Sequence, residues 1–157
     1  MIDLTMAKND NERLALAIFK AMEDGTLMEQ MPNLCTETFE WANSGLPTLR
    51  GQAQVRALMA RGGFRNEIPI LNEQTHFSAD VIHIASYADT VFTERVDHHW
   101  DAAGRDLMTP HICGVIEIEA GRIRRLHDFY DVACYAQTPS VADPQYTLTN
   151  HRLRTGG

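Results

Sequence analysis

Basic residues are scarce in this chain. Lys and Arg number 14 against 21 Asp and Glu, giving a net charge of −7. Binding to phosphate backbones needs a basic surface, so nucleic acid is not expected as a partner. Cysteine is also sparse. Cys35, Cys113 and Cys134 form no spaced pair and leave an odd one, which argues against a disulfide framework and for reduced thiols in a cytoplasmic protein. No apolar run approaches the ~20 residues of a membrane helix. The opening stretch MIDLTMAKNDNERL lacks the apolar core of a signal peptide, so no membrane association is expected. No glycine-rich phosphate loop is present, and no nucleotide cofactor is expected. The seven histidines show no His-x-His spacing and the cysteines no Cys-x-x-Cys spacing. His98 and His99 are adjacent and point opposite ways on a strand, so no metal site is expected.

What remains is an ordinary globular composition, 44% apolar and 22% charged over 157 residues, enough for one domain with a real core. Residues 11–24 read as a helix capped by Asp10 or Asn11, with Leu14, Ala17, Ile18 and Ala21 as its apolar stripe and Gly25 as its stop. Residues 26–34 suit a short helical turn ending near Pro32. Residues 36–43 read as a strand, and 51–61 as a second amphipathic helix with Val55, Leu58 and Met59 inside. From there the hydrophobic period switches from 3.6 to 2. Strands are expected over 66–78, 79–86, 89–100, 106–119 and 122–133, divided by turn signals at Ala88-Asp89, 101–105 and 119–122. Helices first and strands second give an α+β class: a curved, mostly antiparallel sheet wrapped over N-terminal helices in a cone, with a pocket between. The domain is expected to span 1–138, and 139–157 to be a polar tail, extended or mobile.

The stretch VFTERVDHHW (91–100) is unusual inside such a sheet. Side chains alternate along a strand, so Thr93, Arg95 and Asp97 share one face while Phe92, Glu94 and Val96 share the other. If the odd face is interior, an arginine and an aspartate are buried together, at several kcal/mol per ion unless they are paired. The competing reading is a solvated edge. On the last strand, Leu126, Asp128 and Tyr130 share a face. If the intervening strand pairs even positions with both neighbours, Arg95, Asp97 and Asp128 converge. The outer strands then lie about 9–10 Å apart, and Gly114 leaves room for a long arginine to bridge them. Two carboxyls around one guanidinium, one of them protonated, carry no net charge. They also divide the labour of proton donor and proton acceptor. The alternative is a buried ion-pair strut without chemistry.

VFTERVD (91–97), DFYD (128–131) and WAN (41–43) followed by LPTLRGQAQV resemble limonene-1,2-epoxide hydrolase and its relatives, within the cone-shaped nuclear-transport-factor-2-like, or SnoaL-like, superfamily. The resemblance is collinear over about residues 10–135. It implies one-step epoxide hydrolysis by an Asp–Arg–Asp triad, without covalent intermediate or cofactor. Asp97 would protonate the epoxide oxygen, Arg95 would bridge the carboxyls, and Asp128 would take a proton from water. Asn43 matches an asparagine that helps hold this water, which should donate to Asp128 and to the Asn43 side-chain oxygen. Trp41 stands where the family usually has tyrosine, and an indole N–H can donate but not accept.

Two other functions fit the same scaffold. A lyase or isomerase would pair Asp97 or Asp128 with His111 or His127, should a bulge turn either histidine inward. A non-catalytic binder of small molecules would need only the pocket. Cys113 and Cys134 read as buried filler, and Met22, Met28, Met31, Met59 and Met108 as a malleable lining or plain core. The expected partner is a small hydrophobic substrate. A homodimer is expected from the family likeness and from Phe92, Val96 and Phe129, which would need cover on the outer sheet face.

Overall fold

The computed structural model describes residues 1–138 together with 140 and 141. Asn9, not Asp10 or Asn11, caps the first helix, α1 (Asp10–Glu23), its side chain accepting from Glu12 N at 2.9 Å. The buried stripe of α1 is Ala15, Leu16, Ile18, Phe19 and Ala21. Leu14 and Ala17, expected inside, are half-buried. α2 (Leu27–Leu34) continues only two residues beyond Pro32. α3 (Gln52–Ala60) buries Val55 and Leu58, whereas Met59, expected inside, is 40% exposed. Gln52 Nε2 ties α3 to the sheet through the carbonyls of Cys35 and Thr36 at 3.1 and 3.2 Å. No helix among the described residues is long and apolar enough to cross a membrane.

The helices pack on a strongly curled mixed sheet, which gives the α+β cone. Its strands are β1 (Cys35–Asn43), β2 (Leu49–Arg50), β3 (Gln74–Tyr87), β4 (Thr90–Asp101), β5 (Arg105–Asp106), β6 (His111–Glu119), β7 (Arg122–Phe129) and β8 (Ser140–Val141). The order is β2-β1-β7-β6-β4-β5-β8, with β3 on the other side of β4. β3, β4, β6 and β7 run antiparallel in succession, while β1 lies parallel to β7. The expected polar tail lies outside the described residues except for β8, which pairs with β5.

The expected strand over 66–78 is mostly not a strand. Gly62 and Gly63 take positive φ (96° and 75°), Pro69 opens a 3-10 turn over Pro69–Glu73, and β3 starts at Gln74 and runs unbroken to Tyr87. Apolar Ile68 and Leu71 are buried all the same, because they line the pocket rather than a sheet face.

The β6–β7 hairpin decides what faces inward. Ala120 and Gly121 both have positive φ (49° and 74°), as a type I′ turn requires. Next to the turn Ile118 opposes Ile123. A bulge then adds one residue, Arg124, on β7, and beyond it Glu117 opposes Arg125 and Gly114 opposes Asp128. An extra residue exchanges the two faces. Without it His127 would stand opposite Gly114; with it Asp128 does.

Burial on β6 alternates cleanly, with Ile112, Gly114, Ile116 and Ile118 inside. Cys113, expected buried, is exposed, and Cys134 is half-buried. On the outer face Phe92 and Phe129 are exposed, whereas Val96 is buried and needs no cover.

Candidate active site

Arg95 sits at the floor of the cone, 2% exposed. It opposes Ile112 on β6, and its neighbour on the same face, Thr93, opposes Gly114. The long side chain passes over Gly114 to reach β7. A Cβ at residue 114 would lie 2.6 Å from Thr93 Oγ1, 2.8 Å from Arg95 Nη1 and 3.0 Å from Asp128 Oδ1. Only glycine leaves this passage open.

The guanidinium is held on two sides. Nε and Nη2 donate to Asp97 Oδ1 and Oδ2 at 2.9 and 3.2 Å. Nη1 and Nη2 donate to Asp128 Oδ1 and Oδ2 at 2.9 and 2.6 Å. Both contacts are two-pronged, the strongest arrangement open to an arginine and a carboxylate. Beneath them the Phe19 ring of α1 lies 4.2 Å from the guanidinium carbon, and its π face favours the cation. Burial alone would lower the Arg95 pKa, but the charges of Asp128 and Asp97 outweigh it and hold the guanidinium firmly protonated. For Asp97 the balance goes the other way. Burial raises its pKa above the usual carboxylate value against the pull of Arg95, and the neighbouring charge of Asp128 adds to the rise. The arrangement therefore offers a buried carboxyl that favours its proton beside a second carboxylate on the same cation. That is a donor and an acceptor in one cavity.

The cavity above them has a volume of about 590 Å³. Arg95, Asp97 and Asp128 line it together with Trp41, Asn43, His99 and Tyr130, and its walls are largely apolar, among them Met28, Phe64, Ile68, Leu71 and Met108. Asn43 opposes Asp128 directly across the parallel β1–β7 pairing. Trp41 packs edge-on against Phe64, ring centres 6.2 Å apart, and its buried Nε1 has no hydrogen-bond partner among the described residues.

Sequence reasoning named Arg95, Asp97, Asp128, Asn43 and Trp41 as site residues, and Met28 and Met108 as lining or core, and the structure brings all seven to one cavity. His111 and His127 are not among them. His111 lies on the outer face and meets Glu94 Oε1 at 2.8 Å. His127 stacks on Phe129, ring centres 3.9 Å apart, because the Arg124 bulge turns it outward. His99 and Tyr130 were missed as lining residues, although parity places His99 with Arg95 and Asp97, and Tyr130 with Asp128. The His99 ring is kept neutral by burial, with its pKa pushed down to about 3. Among the described residues no three His, Cys, Asp or Glu side chains converge as a metal site.

The limonene-1,2-epoxide hydrolase catalytic-domain model matches residues 9–138. The chain belongs to the limonene-1,2-epoxide hydrolase family. No curated protein matches it in sequence. An M. tuberculosis epoxide hydrolase of this family's type shares its fold at 19% identity and TM-score 0.64, over 94% of this chain and 97% of that one. An NTF2-like protein of Burkholderia xenovorans is similar at 17% identity and TM-score 0.62, over 83% and 96% of the two chains. A Jannaschia protein described as a SnoaL-like polyketide cyclase follows at 13% identity and TM-score 0.63, over 86% and 94%. At these identities the likeness concerns the fold, which hosts several chemistries.

Proposed function

We propose that this protein hydrolyses an epoxide on a small, mostly hydrophobic molecule to a diol, by direct attack of water and without a cofactor. The observation that carries the reading is the pair of carboxyls clasped by one buried guanidinium at the floor of an apolar cavity. Asp97, whose proton is favoured by burial, donates it to the epoxide oxygen as the C–O bond breaks. Asp128, held by two hydrogen bonds from Arg95, takes a proton from water as the new C–O bond forms. The triad starts and ends with no net charge, and a proton passing from Asp128 back to Asp97 resets it. Arg95 fixes the two carboxyls relative to each other, so both act on one bound epoxide. Trp41 serves as a wall. The lyase or isomerase reading loses its histidines to the outer face.

The test is diol formation from a panel of terpene and cycloalkene oxides by the purified protein, beside Asp97→Asn and Asp128→Asn. The reading expects turnover of at least one oxide, lost in both variants. Full activity in both, or no diol from any oxide, contradicts it. We also infer a homodimer through the outer sheet face, where Phe92 and Phe129 are exposed. Sedimentation of Phe92→Asp/Phe129→Asp as a monomer supports it, and an unchanged mass contradicts it.

A further inference from the structure

Each phenol carries a single proton, and that count constrains the contacts beside the cavity. Tyr135, on the 3-10 turn over Val132–Ala136, has its hydroxyl 2.5 Å from the Ser44 carbonyl. A carbonyl oxygen only accepts, so Tyr135 donates there. Tyr130 Oη lies 2.7 Å from Tyr135 Oη. Tyr135 has used its proton, so in this contact Tyr130 donates. Tyr130 has then used its own. Its oxygen stands 3.3 Å from Asn43 Oδ1, and without a proton between them two acceptor oxygens repel. A half-turn of the amide, whose two ends have the same shape, replaces the repulsion with an N–H···O bond from Asn43 to Tyr130. The proton order then runs from Asn43 through Tyr130 and Tyr135 to the Ser44 carbonyl.

The frame around this chain is stiff. Ser44 N and Oγ both donate to the Asp128 carbonyl, at 3.2 and 3.3 Å, and Ser44 Oγ accepts from Tyr130 N at 3.1 Å. One serine thus locks the ends of β1 and β7, where Asn43, Asp128 and Tyr130 meet. Asn43 opposes Asp128 and lines the cavity, and the amide corner away from Tyr130 has no protein partner among the described residues.

We propose that Tyr130 and Tyr135 are positioning residues that orient the Asn43 amide, so that its carbonyl oxygen and the Asp128 carboxylate both face the cavity as acceptors for the attacking water. The inference rests on the hydrolytic reading above. A water that attacks carbon gives its protons to two acceptors and keeps a lone pair for the new bond. With the amide reversed, its NH2 would instead donate to that lone pair and weaken the nucleophile.

Tyr135→Phe is the decisive variant, because the Tyr135 ring does not line the cavity. It frees the Tyr130 proton to bond Asn43 Oδ1 and reverses the amide. The expected result is a fall in kcat of about tenfold with KM changed less than about twofold, since water rather than substrate is misplaced. Tyr130→Phe should give a similar loss. In an Asn43→Ala background either tyrosine change should alter kcat by less than about twofold, because no amide is left to orient. Unchanged kcat in folded Tyr135→Phe, or independent losses in the double variants, overturn the proposal. So does neutron diffraction of the unliganded protein that places the amide deuterons away from Tyr130. A folded wild type that makes no diol from any oxide overturns the hydrolytic reading and this role together. A working wild type with an indifferent Tyr135→Phe overturns this role alone.

Discussion

Two clusters of buried charge lie back to back on β4. On the inner face Arg95 holds Asp97 and Asp128. On the outer face His98 meets Asp106 Oδ2 at 2.5 Å and Asp80 at 3.6 Å, with the Trp100 ring stacked 5.4 Å away. Each cluster has one cationic side chain between two carboxyls, and each is almost closed to solvent. They differ in what surrounds them. The Arg95 cluster opens on the apolar cavity, whereas none of His98, Asp80 and Asp106 lines it. For His98, burial favours the neutral ring, but its bonds to Asp106 and Asp80 win and raise its pKa to about 9. The outer cluster is thus a charged strut at neutral pH, pinning β5 to β4. Buried charge is no mark of chemistry by itself; a space for substrate beside a carboxyl that keeps its proton is.

Changes that separate the clusters should show this, the largest effect coming from the inner one. Asp97→Asn removes the donor and Asp128→Asn the acceptor, and each should lower kcat by about 10³-fold, while cooperative unfolding is retained. Asp128→Asn should also bring the Asp97 pKa down, since the neighbouring negative charge that helps raise it is gone. Comparable activity loss in Asp106→Asn would erase the distinction between the clusters.

On the outer side the effect should fall on stability. Folding raises the His98 pKa from 6.5 to about 9. Its contribution is therefore complete below about pH 6.5 and is lost as pH rises through 9, amounting to about 3 kcal/mol at most. Denaturant unfolding of the wild type between pH 6 and 10 should show this decline, and Asp106→Asn should flatten it. A slope unchanged in that variant would assign the decline elsewhere.

Gly114→Ala comes next. Its methyl would press on Thr93, Arg95 and Asp128 together, and an overpacked site costs about 1–3 kcal/mol. A lowered Tm with a disproportionate loss of kcat is expected, because the guanidinium can yield only by leaving Asp128. The smallest effects belong to the outer histidines. His111→Ala and His127→Ala should change diol formation by less than about twofold, and a large loss in either would revive the lyase or isomerase reading.

Part of the inner cluster was legible from parity. Alternation groups Arg95 and Asp97 with His99 on β4, and Asp128 with Tyr130 at the end of β7, but it brings the two sets together over Gly114 only under an assumed register, and neither His99 nor Tyr130 was singled out as lining the pocket. Less visible was what fixes that alternation. The even-to-even pairing of Gly114 with Asp128 depends on a bulge at Arg124, and the sequence carries no local mark of it, since the Ala120-Gly121 turn by itself sets the opposite parity. The parallel pairing of β1 with β7 was likewise hidden, because no turn signal joins elements some eighty residues apart. The apolar run at 68–71, whose Ile68 and Leu71 line the pocket, misled for a physical reason. It faces a cavity, and a cavity wall needs apolar side chains without the period of a strand.

The most direct test is a single turnover in water enriched in oxygen-18, with protein in excess over an oxide that it consumes. Direct attack by a water held at Asp128 predicts one heavy oxygen in the diol from the first turnover and none in any aspartate. Unlabelled first-turnover diol, with the label found in Asp97 or Asp128, would show an ester intermediate and contradict the account.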